Sequence, residues 1–360
     1  MFTSPTLTID LAAITSNWQL LRTRFSGKET GAVVKANAYG LGAAQVATAL
    51  ENAGCHSFFV ATLDEALELR KTLPDVRILV FHGVQLGEEF AFAQHRIIPV
   101  LNSLEQLHRW RAVALLDRNA ISALHIDTAM ARLGLSLSEF SALRDSELLK
   151  QCRVSLLMSH LACASTPQHP LNSEQHRLFK DASTPYPLIP RSLCNSGGIL
   201  LGQDYHCDLA RPGCALYGIH PEGIAGDQNL LTPVATLCAP IIQLRTIDRE
   251  QTLGYGASIT VKKGTRTATI ACGYADGYLR SLSHNSSAMF EDYSLPLLGR
   301  VTMDMLTFDV SRVPESKLHA GAMLTLIGEG ISVDSLADKA QTIGYEILTR
   351  MGSRIKRDYI

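Results

Sequence analysis

Residues 31–40 read GAVVKANAYG. The apolar run Ala32–Val34 stops at a lysine, Lys35, and small residues, Asn37, Tyr39 and Gly40 follow. A lysine at the end of a buried run loses hydration, which pushes its amine toward the neutral, nucleophilic form. That suits a Schiff base with an aldehyde cofactor. Taken alone, the residue reads better as a lysine snorkelling at a strand end. The rest of the chain decides between the two.

Seven further β-rich runs follow at regular intervals: SFFVATL, RILVFHG, IIPVLNS, ISALHID, RVSLLMSH, RSLCNSG and HCDLARPG. Helical patterns separate them, among them AAQVATALENAG, DEALELRKTL and SLEQLHRWRAVALLD, although GILLGQD after RSLCNSG is too short for a full helix. Near-continuous apolar strands alternating with helices predict a closed parallel (β/α)8 barrel, whose strands are buried on both faces. The polar residues gather at the C-terminal ends of the runs: Lys35, His82, Asn102, Asp127, His160, Ser196 and Arg211. In such a barrel that end is the catalytic mouth. Any one of them is an ordinary strand end meeting water, but the recurrence points to an enzyme.

Outward from this core, TLTIDLAAITSNWQLLRTRF opens the chain as a short strand and a helix, with Asp10 as its cap and Ile14, Trp18, Leu21 and Phe25 on one face. From about residue 229 the texture changes to short Val/Thr/Leu-rich runs punctuated by Gly and Pro, which predict an antiparallel β domain with one late helix over roughly DSLADKAQTIGYEILTRM. The expected division is therefore a barrel over 1–228 and a β domain over 229–360, joined by the loop-like HPEGIAGDQNLLTP.

Composition narrows the function. The 360 residues are 46% hydrophobic and 19% charged, with a net charge of −1, so a large core is expected and the basic stripe of a nucleic-acid binder is not. The basic SRIKRDY near the end reads as a solvated helix end. Eight cysteines, none in CxxC spacing and most in apolar runs, read as reduced core residues of a cytoplasmic protein. No secretory signal or membrane-length apolar run is seen. GxGxxG, P-loop and zinc motifs are lacking too, which argues against dinucleotide, NTP or metal chemistry. A phosphate-bearing cofactor would find donors in CNSGG, through Ser196, and in ARPGCALYG, where Pro212 and Gly213 let backbone approach a ligand.

Seven stretches in series, AVVKANAYGLG, HIDTAMARLGL, MSHLACA, DLARPGCALYG, LGYGASI, ACGYADG and GRVTMDMLTFDV, with the closing GYEILTRMGSRIKR, resemble the alanine racemase family from about residue 5 to 355. The resemblance implies pyridoxal 5'-phosphate as cofactor, alanine as substrate, and a head-to-tail homodimer of chains with an N-terminal (β/α)8 barrel and a C-terminal β domain. Lys35 would hold the cofactor covalently and act as one base, and Tyr255, from the partner subunit, as the other. Arg211 would face the pyridine nitrogen, His160 would support Arg211 and Tyr255, and Tyr39, Ser196, Gly213, Cys214 and Tyr345 would cradle the phosphate. Arg132 would face the substrate carboxylate, Met303 and Asp304 from the partner would border the substrate, and Tyr274 would narrow the entrance.

The implied chemistry is coherent. Inverting Cα needs one base on each side of the cofactor plane. A tyrosine serves as a base only beside cationic or hydrogen-bonding groups, the part His160 and Arg211 would play. An arginine at the pyridine nitrogen cannot accept its proton, which would suppress transamination. Some positions depart from the family pattern: His125 stands where many relatives carry a lysine, carbamylated in some, and Ala129 and Ala131 stand where a glycine and a variable polar residue are commoner. These changes concern how Arg132 is held. A decarboxylase of the same fold lacks support because its cysteine motif is missing, and a non-catalytic cofactor-binding barrel would leave the β domain without purpose. A racemase of broader specificity, acting on serine or basic amino acids, is the remaining alternative, and D-alanine for peptidoglycan is the expected use.

Overall fold

The computed structural model describes residues 4–144, 146–221 and 230–360. These separate into two compact units: Ala12–Thr232, and the N-terminal segment through Leu11 together with Pro233–Ile360. The expected division at 228, and most of the linker, lie outside the described residues.

In the first unit, seven parallel strands pair in chain order: Ala32–Val33, Ser57–Val60, Arg77–Val80, Ile97–Leu101, Ser122–His125, Val154–Met158 and Arg191–Ser192. The eighth run closes the ring. Leu209–Ala210 pairs in parallel with Glu29–Thr30, immediately before the first of the seven strands. On its other side, Asp208 N–H donates to Arg191 O and Arg211 N–H to Cys194 O, each at 2.9 Å. The barrel expected from the eight runs is thus present.

Its interior is packed by inward residues of nearly every strand: Val33, Phe59, Leu79, Ile98, Val100, Ala123, Leu156, Met158 and Leu209. Ser57–Val60, Ile97–Leu101 and Ser122–His125 are buried throughout, because helices cover the outer face as the interior fills the inner one. Burying each such aliphatic or aromatic side chain contributes roughly 1.5–3 kcal/mol. The helices start where the sequence places cap residues. Thr62 and Ser136 each form a reciprocal capping box, with Glu65 and Glu139, and Ser103 caps Leu104–Leu116.

The second unit is a mainly antiparallel sheet. The long strand Ala235–Thr246 pairs with Met323–Ile327, Arg266–Ile270 and Thr6–Ile9. The N-terminal strand, counted with the barrel in the sequence reading, therefore belongs to this sheet. It also pairs in parallel with Lys356–Tyr359, so SRIKRDY is not a solvated helix end: half of it is a strand, and Arg357 donates to the carbonyls of Met351 and Gly352. The late helical pattern is two helices, Val333–Ala340 and Gly344–Thr349. Gln341, at φ 57°, ends the first as a left-handed cap, and Thr342 N–H returns to Ala337 O. The short hairpin Gln251–Leu253/Ile259–Val261 stands apart from the main sheet. Among the described residues, no helix is long and apolar enough to cross a membrane. All eight cysteines are free, and half are fully buried.

Candidate active site

The seven polar residues singled out at the strand ends do gather at one rim of the barrel, because each lies just beyond the C-terminal end of its parallel strand. They do different work there. Asp127 folds its own loop: its carboxylate accepts the N–H groups of Ala129, Met130 and Ala131 at 2.8–3.2 Å. That loop leads to Arg132. It is pinned at its base by Asp127 N–H to Leu135 O and Leu135 N–H to His125 O. Ala129 and Ala131 adopt φ of 86° and 56°, which is why glycine suits the first of these positions. His82 and Arg132 line a cavity of about 800 Å³ with Ser103, Gln106 and Arg109.

Lys35 follows the first strand, and the chain after it does not enter a helix. Ala36, Asn37, Ala38 and Tyr39 take φ of 52°, 55°, 52° and 54°, a left-handed turn built from non-glycine residues. Each such residue costs about 1–2 kcal/mol, so the surroundings must hold the turn. Ala36 N–H donates to Glu65 Oε1 at 2.6 Å, Asn37 Oδ1 accepts Ala43 N–H at 2.8 Å, and Gly42 N–H bonds Asn37 O at 2.9 Å. Glu65 uses its other oxygen on Ala61 N–H. Lys35 Nζ lies 5.9 Å from the centre of the Phe81 ring. Burial, and then the charge of Arg132, lower its pKa against the opposing pull of Glu65, which favours a neutral amine.

Arg211 is fully buried. Its Nη1 donates to Ser192 Oγ, whose hydroxyl in turn donates a hydrogen bond to Leu209 O. Nη2 donates to Ser159 O at 2.6 Å and lies 3.4 Å from His160 Nδ1. Burial lowers this guanidinium to a pKa of about 10, so it stays charged at neutral pH. Burial and then the Arg211 charge hold His160 well below the usual histidine range, leaving a neutral ring able to accept at Nδ1. Arg211 Nε is buried with no partner among the described residues.

His125 is buried beside this group. Asn102 Nδ2 donates to Phe81 O and Val100 O, so the Asn102 amide turns its oxygen to His125 Nδ1 at 2.9 Å. Nδ1 therefore carries the proton and Nε2 the lone pair. Burial and then Arg211 pull the pKa of His125 down to about 4.

Donors for an anion meet around Gly213. Its N–H and that of Ala215 donate to Ser196 Oγ at 2.9 and 3.3 Å. A Cβ on Gly213 would sit 2.6 Å from Tyr39 Oη. The Tyr39 ring rests on Tyr217, with centroids 4.7 Å apart, and Tyr217 Oη donates to Val33 O. Cys214, half-buried, opens the following 3-10 turn. A phosphate-bearing pyridine aldehyde fits this donor set: an amine poised to be neutral, a buried Nε awaiting an acceptor, and Tyr39, Ser196 and Gly213 grouped where only a glycine leaves space.

The remaining sequence candidates lie in the second unit. Tyr255 sits at the tip of the Gln251–Val261 hairpin, between Gly254 and Gly256, each at φ 72°, and is 75% exposed. A Cβ on Gly256 would meet the Arg300 guanidinium at 2.9 Å. Tyr274 and Met303, both exposed, lie on stacked segments: Tyr274 N–H bonds Thr302 O and Ala275 N–H bonds Met303 O, each at 3.0 Å. Asp304 accepts from Arg354 Nη1 at 2.7 Å. Tyr345 is half-buried in the first turn of the helix Gly344–Thr349.

Sequence reading missed several supporting groups. Ser192 ends a strand and has no motif of its own. Glu65 has a visible signal as the fourth residue of a capping box, but its bond to Ala36 is tertiary. Arg354 stood within a basic stretch that looked solvated.

Family models for the alanine racemase N-terminal and C-terminal domains match residues 9–221 and 234–359. A protein named alanine racemase from Rhodospirillum rubrum is 48% identical over 98% of this chain and 95% of its own length. One from Agrobacterium fabrum, named as catabolic, is 46% identical over 98% and 92%. The crystal structure of alanine racemase from Bartonella henselae with covalently bound pyridoxal phosphate superposes with a TM-score of 0.93 at 37% identity, covering 99% of both chains. With both domain models matched and such relatives spanned nearly end to end, the chain belongs to the alanine racemase family.

Proposed function

We propose that this chain interconverts L- and D-alanine with pyridoxal 5'-phosphate held by Lys35, using Lys35 and the Tyr255 of a second copy as the two bases. The observation that carries the reading is the juxtaposition at the barrel mouth of the depleted-charge amine of Lys35, the unpartnered buried Nε of Arg211, and the Tyr39–Ser196–Gly213 donor group. Bound there, the cofactor supplies the electron sink that makes the Cα proton of alanine removable.

The protein residues divide the remaining tasks. Lys35 Nζ, its pKa lowered by burial and by the Arg132 charge, takes or returns a proton on one face. Tyr255, exposed on its hairpin, serves the other face from the partner subunit. Arg211 remains protonated and donates from Nε; it cannot remove a proton from, or give one up to, a ring nitrogen at working pH. His160 accepts from Arg211 through Nδ1, which fixes the guanidinium plane. Arg132, on the loop shaped by Asp127, offers its charge to the substrate carboxylate. Alanine rather than serine or a basic amino acid is the substrate favoured by the named relatives. Cytoplasmic supply of D-alanine for peptidoglycan is the use we favour, and the free cysteines suit a reducing compartment.

Borohydride should fix the cofactor on Lys35, and D- or L-alanine in deuterium oxide should exchange Cα hydrogen with inversion. Labelling elsewhere, or exchange without inversion, would sink the proposal. Shared sites have their own test: Lys35→Ala and Tyr255→Phe chains, each inactive alone, should regain activity when mixed and re-paired. No recovery would mean that both bases come from one chain.

A further inference from the structure

The exposed edge bearing Tyr274, Met303 and Asp304 depends on a group outside it. Gly273 is extended, and a Cβ there would sit 2.3 Å from Met303 O and 2.4 Å from Thr302 O. The two segments therefore stack backbone on backbone, with Tyr274 and Ala275 donating across the gap. The first segment closes on Asp276, whose side chain is completely buried and whose Oδ2 accepts Gly273 N–H at 2.8 Å. A buried carboxylate requires a cation. Arg354 provides it: Nε lies 2.9 Å from Oδ1 and Nη2 3.3 Å from Oδ2. The remaining arm, Nη1, reaches Asp304 Oδ1 at 2.7 Å.

The base of Arg354 is fixed as well. Gly352 N–H bonds Asp276 O at 3.0 Å, and Gly277, at φ 106°, turns so closely over Arg350 that a Cβ would meet its carbonyl at 2.2 Å. One rigid fork thus spans two loops from an anchored stem. A lysine could neutralise Asp276, but a single ammonium cannot reproduce the three-pronged geometry.

We infer that Arg354 is a positioning residue that fixes the Met303–Asp304 loop against the Tyr274 turn, and so sets how closely this wall approaches the substrate. The inference rests on the proposed reading that Tyr274, Met303 and Asp304 border the substrate. Asp276 gives Arg354 its fixed place, and Asp304 receives the result.

The test uses Arg354→Lys, Asp304→Asn and the double variant in the cofactor-loaded enzyme, with amide hydrogen exchange and steady-state kinetics read together. Arg354→Lys should speed exchange at the Tyr274 and Ala275 amides by about tenfold, the equivalent of one charge-assisted hydrogen bond. It should lower kcat/KM for alanine by about as much, mainly through KM, and raise the ratio of serine to alanine turnover. In the Asp304→Asn background, where the charge paired with Nη1 is already removed, the lysine change should cost less than it does in the parent, so the two losses fall short of additive. Unchanged exchange, or fully additive kinetic losses, would overturn the positioning role. The exchange readout does not depend on catalysis: faster exchange with no alanine racemisation in the parent would count against the proposed function and leave the clamp standing.

Discussion

Acidification should weaken the barrel through His125 in particular. The unfolded chain binds a proton there with the ordinary pKa of 6.5, whereas burial and Arg211 hold the folded value at about 4. Between those values the unfolded state takes up a proton that the folded state refuses. Stability is therefore complete above about pH 6.5 and is lost as the pH falls toward 4. From about pH 7.5 to about pH 5, this one group removes about 2 kcal/mol; below the folded pKa the loss levels near ~3 kcal/mol. Both tryptophans, Trp18 and Trp110, are buried in the Ala12–Thr232 unit, so their fluorescence in urea reports that unit's unfolding free of the other. His125→Asn keeps an amide donor for Asn102 Oδ1 and removes the titration. Between the two pH values the variant should lose about 2 kcal/mol less than the parent. Other acid-sensitive groups, His160 included, act in both proteins and cancel in the comparison. If parent and variant lose equal stability, His125 is not the buried neutral ring described here.

Three further outcomes are expected. Gly213→Ala would force the Tyr39 hydroxyl away from its place 2.6 Å from the new Cβ, weakening cofactor binding by about tenfold; spectroscopic titration showing unchanged affinity would refute the cradle. Ala129→Gly, at an exposed residue with φ 86°, should stabilise the barrel by about 1 kcal/mol, and a loss of stability in the same urea assay would contradict the strain. Arg211→Glu should raise pyruvate formation relative to alanine inversion, since a carboxylate can keep a ring nitrogen protonated and an arginine cannot; an unchanged product ratio would exclude that role.

The barrel was legible because parallel strands buried on both faces write themselves as unbroken apolar runs, and because the break from apolar to polar marks one rim. Lys35, His160 and Arg211 stand at such breaks. What the runs could not reveal is conformation without a glycine signal. Ala36–Tyr39 looks like the start of a helix, yet it is a left-handed turn held by Glu65 from the following strand–helix unit. Asp127 looked like a mouth residue but spends its carboxylate on backbone amides. Partnership over long separations was equally hidden. Nothing in RIKRDY announces that Arg354 serves the buried Asp276, or that Lys356–Tyr359 lies beside Thr6–Ile9. A late apolar period ran through Gln341, where one residue in left-handed geometry divides the helix.

The pairing of Lys356–Tyr359 with Thr6–Ile9 carries a temporal consequence. Thr6–Ile9 is sandwiched between a strand that begins at Ala235 and one that ends at Tyr359. A ribosome emits the whole barrel sequence before either neighbour exists. The eight-run ring can close during translation, while the strand Thr6–Ile9 waits, unmatched on one edge, until Lys356–Tyr359 has been made. Losing only Lys356–Tyr359 would therefore leave an early-made strand exposed, and the damage would fall on the sheet whose long strand Ala235–Thr246 runs on into the tyrosine hairpin, far from the lysine in chain order.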